Sequence, residues 1–260
     1  MDFKTLILES DGAVATLTLN RPEKRNAISF ELIAESSSTL DAVEQSPAQV
    51  LIVTGAGKAF SGGLDLENLK ALLGRRHEEN LQDSNTMARF FRRLYDFPKP
   101  TIAAVNGAAI AGGTGIATMC DFTLAVPEAK FGYTEVRIGF VPALVSSFLV
   151  LQVGHKIARD LLLTGRLFDA AEAHRFGLVN EVVAAAELMP RARALAAQLA
   201  ENSPSSLRAT KKLINGFIRA QLDQQIADAV QDNARIRTTS DFREGITAFL
   251  EKRKPQWTGK

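Results

Sequence analysis

The stretch from Pro100 to Cys120 carries no charge and is long enough to cross a membrane, yet Asn106, Gly107, Gly112, Gly113 and Gly115 interrupt it. Glycines so spaced break a continuous helix and leave backbone polar groups that lipid does not satisfy. The stretch reads instead as a buried strand from Thr101 to Val105, a glycine-rich turn from Asn106 to Gly112 and a short helix from Gly113 to Met119. A second run, Ile138 to Gly154, also lacks charge.

The same order of strand, loop and helix recurs. Alternating residues from Ala13 to Leu19 behind Asp11-Gly12 predict an opening β-hairpin with its turn at that dipeptide. A helix is expected from near Ser29 through Leu32, Ile33, Leu40 and Val43 to Gln45. Val50 to Thr54 is a β-branched strand ending at Gly55, followed by a loop from Ala56 to Gly63, and Phe122 to Val126 is a further strand. Strands alternating with helices predict an α/β core. From about Ala170 the pattern turns helical, so residues 1–200 are expected to form the mixed core and residues 201–260 a helical region.

With 260 residues, 46% of them hydrophobic, the chain has room for one large domain or two small ones. Its 31 Lys and Arg against 29 Asp and Glu leave a net charge of +2, too balanced for nucleic acid to be the partner. The excess lies in residues 201–260, with eleven basic against seven acidic residues, either a solvated set of helix faces or a partial match for a phosphorylated ligand. Cys120 is the single cysteine, which fits a reducing compartment, and Asp2, Glu9 and Asp11 contradict an export signal; a cytoplasmic location is expected. The scattered His77, His155 and His174 predict no metal site, and no P-loop or dinucleotide fingerprint is present. Neither Ser61 nor Ser146 lies in a nucleophile elbow, and residues 70–89 read as an exposed helix or loop without chemistry.

Two glycine-rich loops follow strands: Phe60-Ser61-Gly62-Gly63-Leu64-Asp65 and Asn106 to Gly115. Where such a loop enters a helix, its unpaired N–H groups are suited to holding a developing oxyanion. Glu135 stands in a mostly uncharged neighbourhood, where burial would raise its pKa and suit it to proton transfer. The alternative is an ion pair with Arg137.

Along nearly its whole length the chain resembles the crotonase, or enoyl-CoA hydratase/isomerase, family. The resemblance rests on Leu19 to Ala27, Phe60 to Asp65, Ala104 to Gly107, Gly112-Gly113, Cys120-Asp121, Phe131-Gly132, Thr164 to Arg166, Gly177 to Val179 and Glu244 to Arg253. It implies an α/β spiral of ββα units with a helical C-terminal trimerisation region, assembled as a homotrimer or a dimer of trimers. It also implies an acyl-CoA thioester substrate and no separate cofactor, the thioester oxygen lying between the N–H groups of Leu64 and Gly112. Gly62, Gly63, Gly113 and Gly115 would line the substrate, the backbone at Arg25 and Ala27 would hold the adenine, and Phe249 and Lys252, from this or a neighbouring subunit, would contact the coenzyme.

The resemblance also exposes a departure. Hydratases of the family use two glutamates, one matching Glu135 and the other falling at Gly115. A lone base suits a Δ3,Δ2-enoyl-CoA isomerase, because one carboxylate can move a proton between C2 and C4. The run from Thr134 to Ser146, however, resembles a subgroup of hydratases with glycine at the position of Gly115. Hydration of a 2-enoyl-CoA is the leading expectation and isomerisation the second. Decarboxylation through a thioester enolate and a non-catalytic acyl-CoA-binding or RNA-binding relative stand behind them. Asp65 and Asp121 are expected to be structural.

Overall fold

The computed structural model describes residues 3–260. Its framework is a pair of sheets filled by successive ββα units. The first two strands, β1 (Leu6–Asp11) and β2 (Val14–Leu19), form the antiparallel hairpin. Its turn falls on Gly12 and Ala13 rather than on Asp11-Gly12, because Asp11 pairs with Val14. Helix α1 (Phe30–Gln45) follows, with the Ser29 side chain accepting the Leu32 N–H at its N-terminus.

Each later unit sends its first strand to one sheet and its second to the other. The first strands are β3 (Val50–Gly55), then β5 (Thr101–Val105), then β7 (Phe122–Ala125); the second are β4 (Ala59–Ser61), β6 (Ala108–Ile110) and β8 (Lys130–Gly132). With β9 (Leu167–Asp169) and β10 (Glu181–Val182), the two sheets have the orders β1-β2-β3-β5-β7-β10 and β4-β6-β8-β9. From β2 to β10 the larger sheet is parallel. Every residue of β3 and β5 is buried, as continuous apolar runs in a covered parallel sheet should be. The sequence pattern misses β4, β6, β8, β9 and β10, all two or three residues long. Their pairing comes from neighbouring units and not from a local period.

The helices of these units are α2 (Leu66–Ala71), α3 (His77–Tyr95), α4 (Gly112–Met119), α5 (Ala143–Thr164) and α6 (Ala170–Arg175). The helices α7 (Leu188–Ala200), α8 (Pro204–Phe217), α9 (Arg219–Ile236) and α10 (Ser240–Leu250) complete the chain. Leu222, Ala229 and Val230 of α9 join the main hydrophobic core. A smaller core gathers Leu69, Leu72, Phe242 and Ile246, with Leu64, Ile138, Phe140 and Leu250 packed around it. Helix α10 is thereby seated on the turn that carries Glu135. The reading of residues 70–89 as exposed is corrected: Asn80 and Ser84 are fully buried, because α3 packs its polar flank against α9. Among the described residues, no helix is long and apolar enough to cross a membrane.

Candidate active site

The first glycine loop is organised by a residue to which the sequence reading assigns no role. Asn26 is fully buried in the left-handed region (φ 53°), and its Nδ2 donates to the carbonyls of Ala56 and Ala59 at 2.9 and 2.8 Å. Its Oδ1 accepts the Arg21 N–H at 2.8 Å and its carbonyl accepts the Ser61 hydroxyl at 2.9 Å. Nothing in the local sequence pattern marks this residue; its left-handed backbone, which asparagine tolerates better than most side chains, is visible only in the fold. Next to it, the Arg25 carbonyl accepts the Gly62 N–H at 2.8 Å, and the Ala27 carbonyl accepts from the Arg21 guanidinium at 3.0 Å. Arg25, Ala27 and Gly62 therefore lie side by side.

Ile28 then aims Leu64. Its N–H donates to the Gly63 carbonyl at 2.7 Å and its carbonyl accepts the Asp65 N–H at 2.9 Å, the pattern of a parallel bridge centred on Leu64. In such a bridge the central residue's own N–H and C=O face the other way. The Leu64 N–H has no acceptor among the described residues. Asp65 ends the loop as the N-cap of α2, accepting the Glu67 N–H at 2.9 Å and pairing with Arg21 at 2.8 Å. Burial pushes its pKa up, but these partners outweigh burial and hold it below the ordinary value. Asp121 is likewise structural, bonding Thr101 and pairing with Lys211 at 2.6 Å.

The second loop sits directly against the first. A Cβ on Gly113 would stand 2.4 Å from the Ser61 carbonyl oxygen, and one on Gly63, at φ +86°, would stand 2.9 Å from the Ile110 oxygen. Only glycine permits this approach. Ala111 precedes α4 at φ 51°, ψ −120°, while its N–H donates to the Gly132 carbonyl at 2.6 Å. That bond ties the start of α4 to β8, which leads into Glu135. At the first position of α4, the Gly112 N–H has no acceptor among the described residues.

Glu135 opens a 3-10 turn, Glu135–Ile138, and is 9% exposed. Its Oε2 has no hydrogen-bond partner among the described residues, so the alternative of a bond from this oxygen to Arg137 is not realised. Burial pushes its carboxyl up to about 7, opposed only by its own backbone N–H. A group so placed exchanges protons near neutral pH. A Cβ on Gly115, in contrast, would stand 2.8 Å from Val145 Cγ1 and 3.5 Å from the Phe91 ring, so apolar side chains close that position. Phe249 lies half-exposed near the end of α10, with Lys252 just beyond at φ 54°; no backbone hydrogen bond joins either to Arg25 or Ala27. Among the described residues no group of His, Cys, Asp and Glu is arranged to hold a metal ion.

Paired sheets of ββα units thus carry, just beyond the ends of β4, β6 and β8, two N–H groups without acceptors and a buried carboxyl. The chain belongs to the enoyl-CoA hydratase/isomerase family, whose pattern it matches over residues 9–260. It is 47% identical over 247 residues to a Thermus thermophilus protein provisionally named an enoyl-CoA hydratase, covering 95% of this chain and 98% of that one. The crotonyl-CoA hydratase of Syntrophomonas wolfei is 35% identical over 266 residues, covering all of both chains. The crystal structure of an enoyl-CoA hydratase/isomerase from Xanthobacter autotrophicus superposes with a TM-score of 0.89 at 30% identity, covering 96% of this chain and 97% of that one.

Proposed function

We infer that the protein is an enoyl-CoA hydratase, adding water across the 2,3 double bond of a 2-enoyl-CoA to give the 3-hydroxyacyl-CoA. The observation that carries the reaction is the buried, unpartnered Glu135 carboxyl in a fold that leaves the Leu64 and Gly112 N–H groups without acceptors. The thioester oxygen accepts from those two groups. As water oxygen bonds to C3, the π electrons move toward C2 and that oxygen, and the two donors stabilise the enolate. Removing one such donor costs about 2.7–4 kcal/mol of barrier in other enzymes. Glu135 takes the water proton and returns it to C2 on the same face, so one carboxyl closes the cycle.

The substrate's adenine is assigned to the backbone at Arg25 and Ala27, beside Gly62. Phe249 and Lys252 are assigned to the coenzyme chain, and Gly63, Gly113 and Gly115 to the walls of the thioester site. No separate cofactor is required. A cytoplasmic homotrimer or hexamer completes the reading, supported by the exposed apolar face of α8 at Leu213, Ile214 and Phe217.

Isomerisation of 3-enoyl-CoA is the second reading, favoured by one observation: Val145 and Phe91 fill the place of a second carboxylate at Gly115. Loss of enoyl absorbance with crotonyl-CoA, run beside its appearance with a 3-enoyl-CoA, separates the two. Fast hydration that falls about 10²–10⁴-fold in Glu135→Gln establishes the hydratase. Rapid conversion of the 3-enoyl-CoA with negligible hydration establishes the isomerase instead.

A further inference from the structure

The segment that follows α10 doubles back along it. Asp241, the second residue of that helix, accepts the Thr258 N–H at 2.7 Å and the Thr258 hydroxyl at 3.0 Å on Oδ1, and the Gly259 N–H at 3.0 Å on Oδ2. Its own N–H donates to the Lys260 oxygen at 3.0 Å. Three residues on, Glu244 accepts the Gln256 N–H at 2.7 Å and the two Nη groups of Arg253 at 2.6 and 2.9 Å. The Thr258 N–H above all holds the Asp241 carboxyl below its ordinary value, and the Arg253 guanidinium brings that of Glu244 down to about 2, so both grip the segment as carboxylates. Residues 253–260 thus form a strap across the start of α10. The reaction at Glu135 uses none of these groups.

The same turns of α10 press on the turn that carries Glu135. A Cβ on Gly139 would stand 2.3 Å from the Asp241 carbonyl oxygen and 3.1 Å from the Phe242 α-carbon. One on Gly245 would stand 2.3 Å from the carbonyl carbon and oxygen of Ile138. Backbone meets backbone here, with no side chain between to take up a displacement. Inside the turn, the Phe140 N–H donates to the Glu135 carbonyl at 3.0 Å, so a shift at residues 138–140 reaches Glu135 directly.

The helix also touches the other half of the reaction site. Phe242 and Ile246 of α10 form the smaller core with Leu69 and Leu72, and Leu64, Ile138 and Phe140 pack around them. The Phe140 and Phe242 rings lie 5.4 Å apart. One helix therefore bears on both the residue whose N–H is the oxyanion donor and the turn that holds the base. At eleven residues α10 is too short to be stable by itself, so its seat depends on that core and on the strap.

We propose that the strap, fastened at Asp241, holds α10 so that the Glu135 carboxyl and the Leu64 N–H stand at the separation the reaction needs. Asp241 is then a positioning residue, acting through α10 and Gly139. The proposal rests on the acyl-CoA reading above and adds to it what keeps the reacting groups in place.

Trp257, the single tryptophan of the chain, lies within the strap, so its emission reads the strap directly. Asp241→Ala should move that emission to longer wavelength, and so should Thr258→Pro, which removes the N–H and hydroxyl from the strap and leaves α10 untouched. In both variants kcat should fall by about 10- to 10²-fold with KM nearly unchanged, measured in hydration or isomerisation, whichever the wild type performs. Asp241→Asn keeps the oxygen that Thr258 uses and should recover most of that loss. Amide hydrogen exchange, which needs no substrate, should quicken at residues 135–140 as well as in α10 when the strap is released. Emission that stays in place in Asp241→Ala overturns the proposal. So does a released strap with kcat and exchange at residues 135–140 unaltered, or a rise in KM at constant kcat, which would make the strap a coenzyme contact. If the wild type converts neither thioester, the hydratase reading fails, and exchange at residues 135–140 still decides whether the strap holds the turn.

Discussion

The α-carbon of Gly115 faces Val145 so closely that an added Cβ would stand 2.8 Å from its Cγ1. Val145 is buried on α5, and its β-branched side chain has few rotamers in which to yield. Gly115→Ala should therefore cost about 1–3 kcal/mol in urea unfolding, the ordinary penalty of overpacking. Paired with Val145→Ala, it should recover about 1 kcal/mol of that loss in a double-mutant cycle. Gly115→Glu alone should leave hydration no faster, since its carboxyl finds no room near the thioester. A cycle with no coupling would show that the two positions do not compete for space.

The raised pKa of Glu135 ties stability to pH with a definite sign. Burial favours the protonated form, so between the ordinary value of 4.5 and about 7 the folded chain holds a proton that the unfolded chain has released. This contribution is complete below pH 4.5, falls as pH rises through about 7, and is flat above. Glu135→Gln does not titrate, and above pH 7 it should be more stable than the wild type by on the order of 3 kcal/mol. Below pH 4.5 that gain should vanish. Activity should follow the opposite course, rising with pH through about 7 as the carboxylate becomes free to take a proton. Urea melts across this range check the first statement and kcat/KM profiles the second; a pH-independent stability difference would contradict the burial.

The larger sheet was legible because β3 and β5 are continuous apolar runs closed by glycine or asparagine, and α1 because Ser29 announces its start. The smaller sheet was not. Three residues such as Ala59–Ser61 or Ala108–Ile110 contain no period, and only the stacking of one unit on the next makes them strands. The site divides in the same way. Glycine in both loops and the isolation of Glu135 could be read directly, whereas the direction of the Leu64 N–H depends on a bridge to Ile28. The buried flank of α3 was hidden by its setting: Asn80 and Ser84 lie in a polar segment, and their burial arises from contacts between α3 and α9, about 150 residues apart.

Ala111 holds the conformation of the second residue of a mirror-image turn, φ 51° and ψ −120°, which an L side chain occupies at a cost of about 1–3 kcal/mol. Ala111→Gly removes that cost and adds about 0.5–1 kcal/mol of unfolded-chain entropy. The strain is the larger effect, so the variant should be more stable by about 1 kcal/mol in urea. The Ala111 N–H bond to Gly132 is retained, and the Gly112 N–H keeps its place. A destabilised variant would mean that the backbone here is not strained.

Phe217 is 74% exposed at the end of α8, with Leu213 and Ile214 on the preceding turn at 60% and 57%. Residues three and four apart share one helix face, so the three form a continuous apolar stripe. A stripe this open is an interaction surface more often than a solvated one. If it joins subunits, Phe217→Asp places a charge where a neighbour must exclude water, and the sedimentation coefficient should drop toward that of a monomer. Nothing inside the chain depends on so exposed a side chain, so far-UV circular dichroism should be unchanged. The thermal midpoint gives a second reading of the same event: for an assembled protein it rises with concentration, and in the variant it should become independent of it. A variant that sediments like the wild type would place the subunit contact on another face.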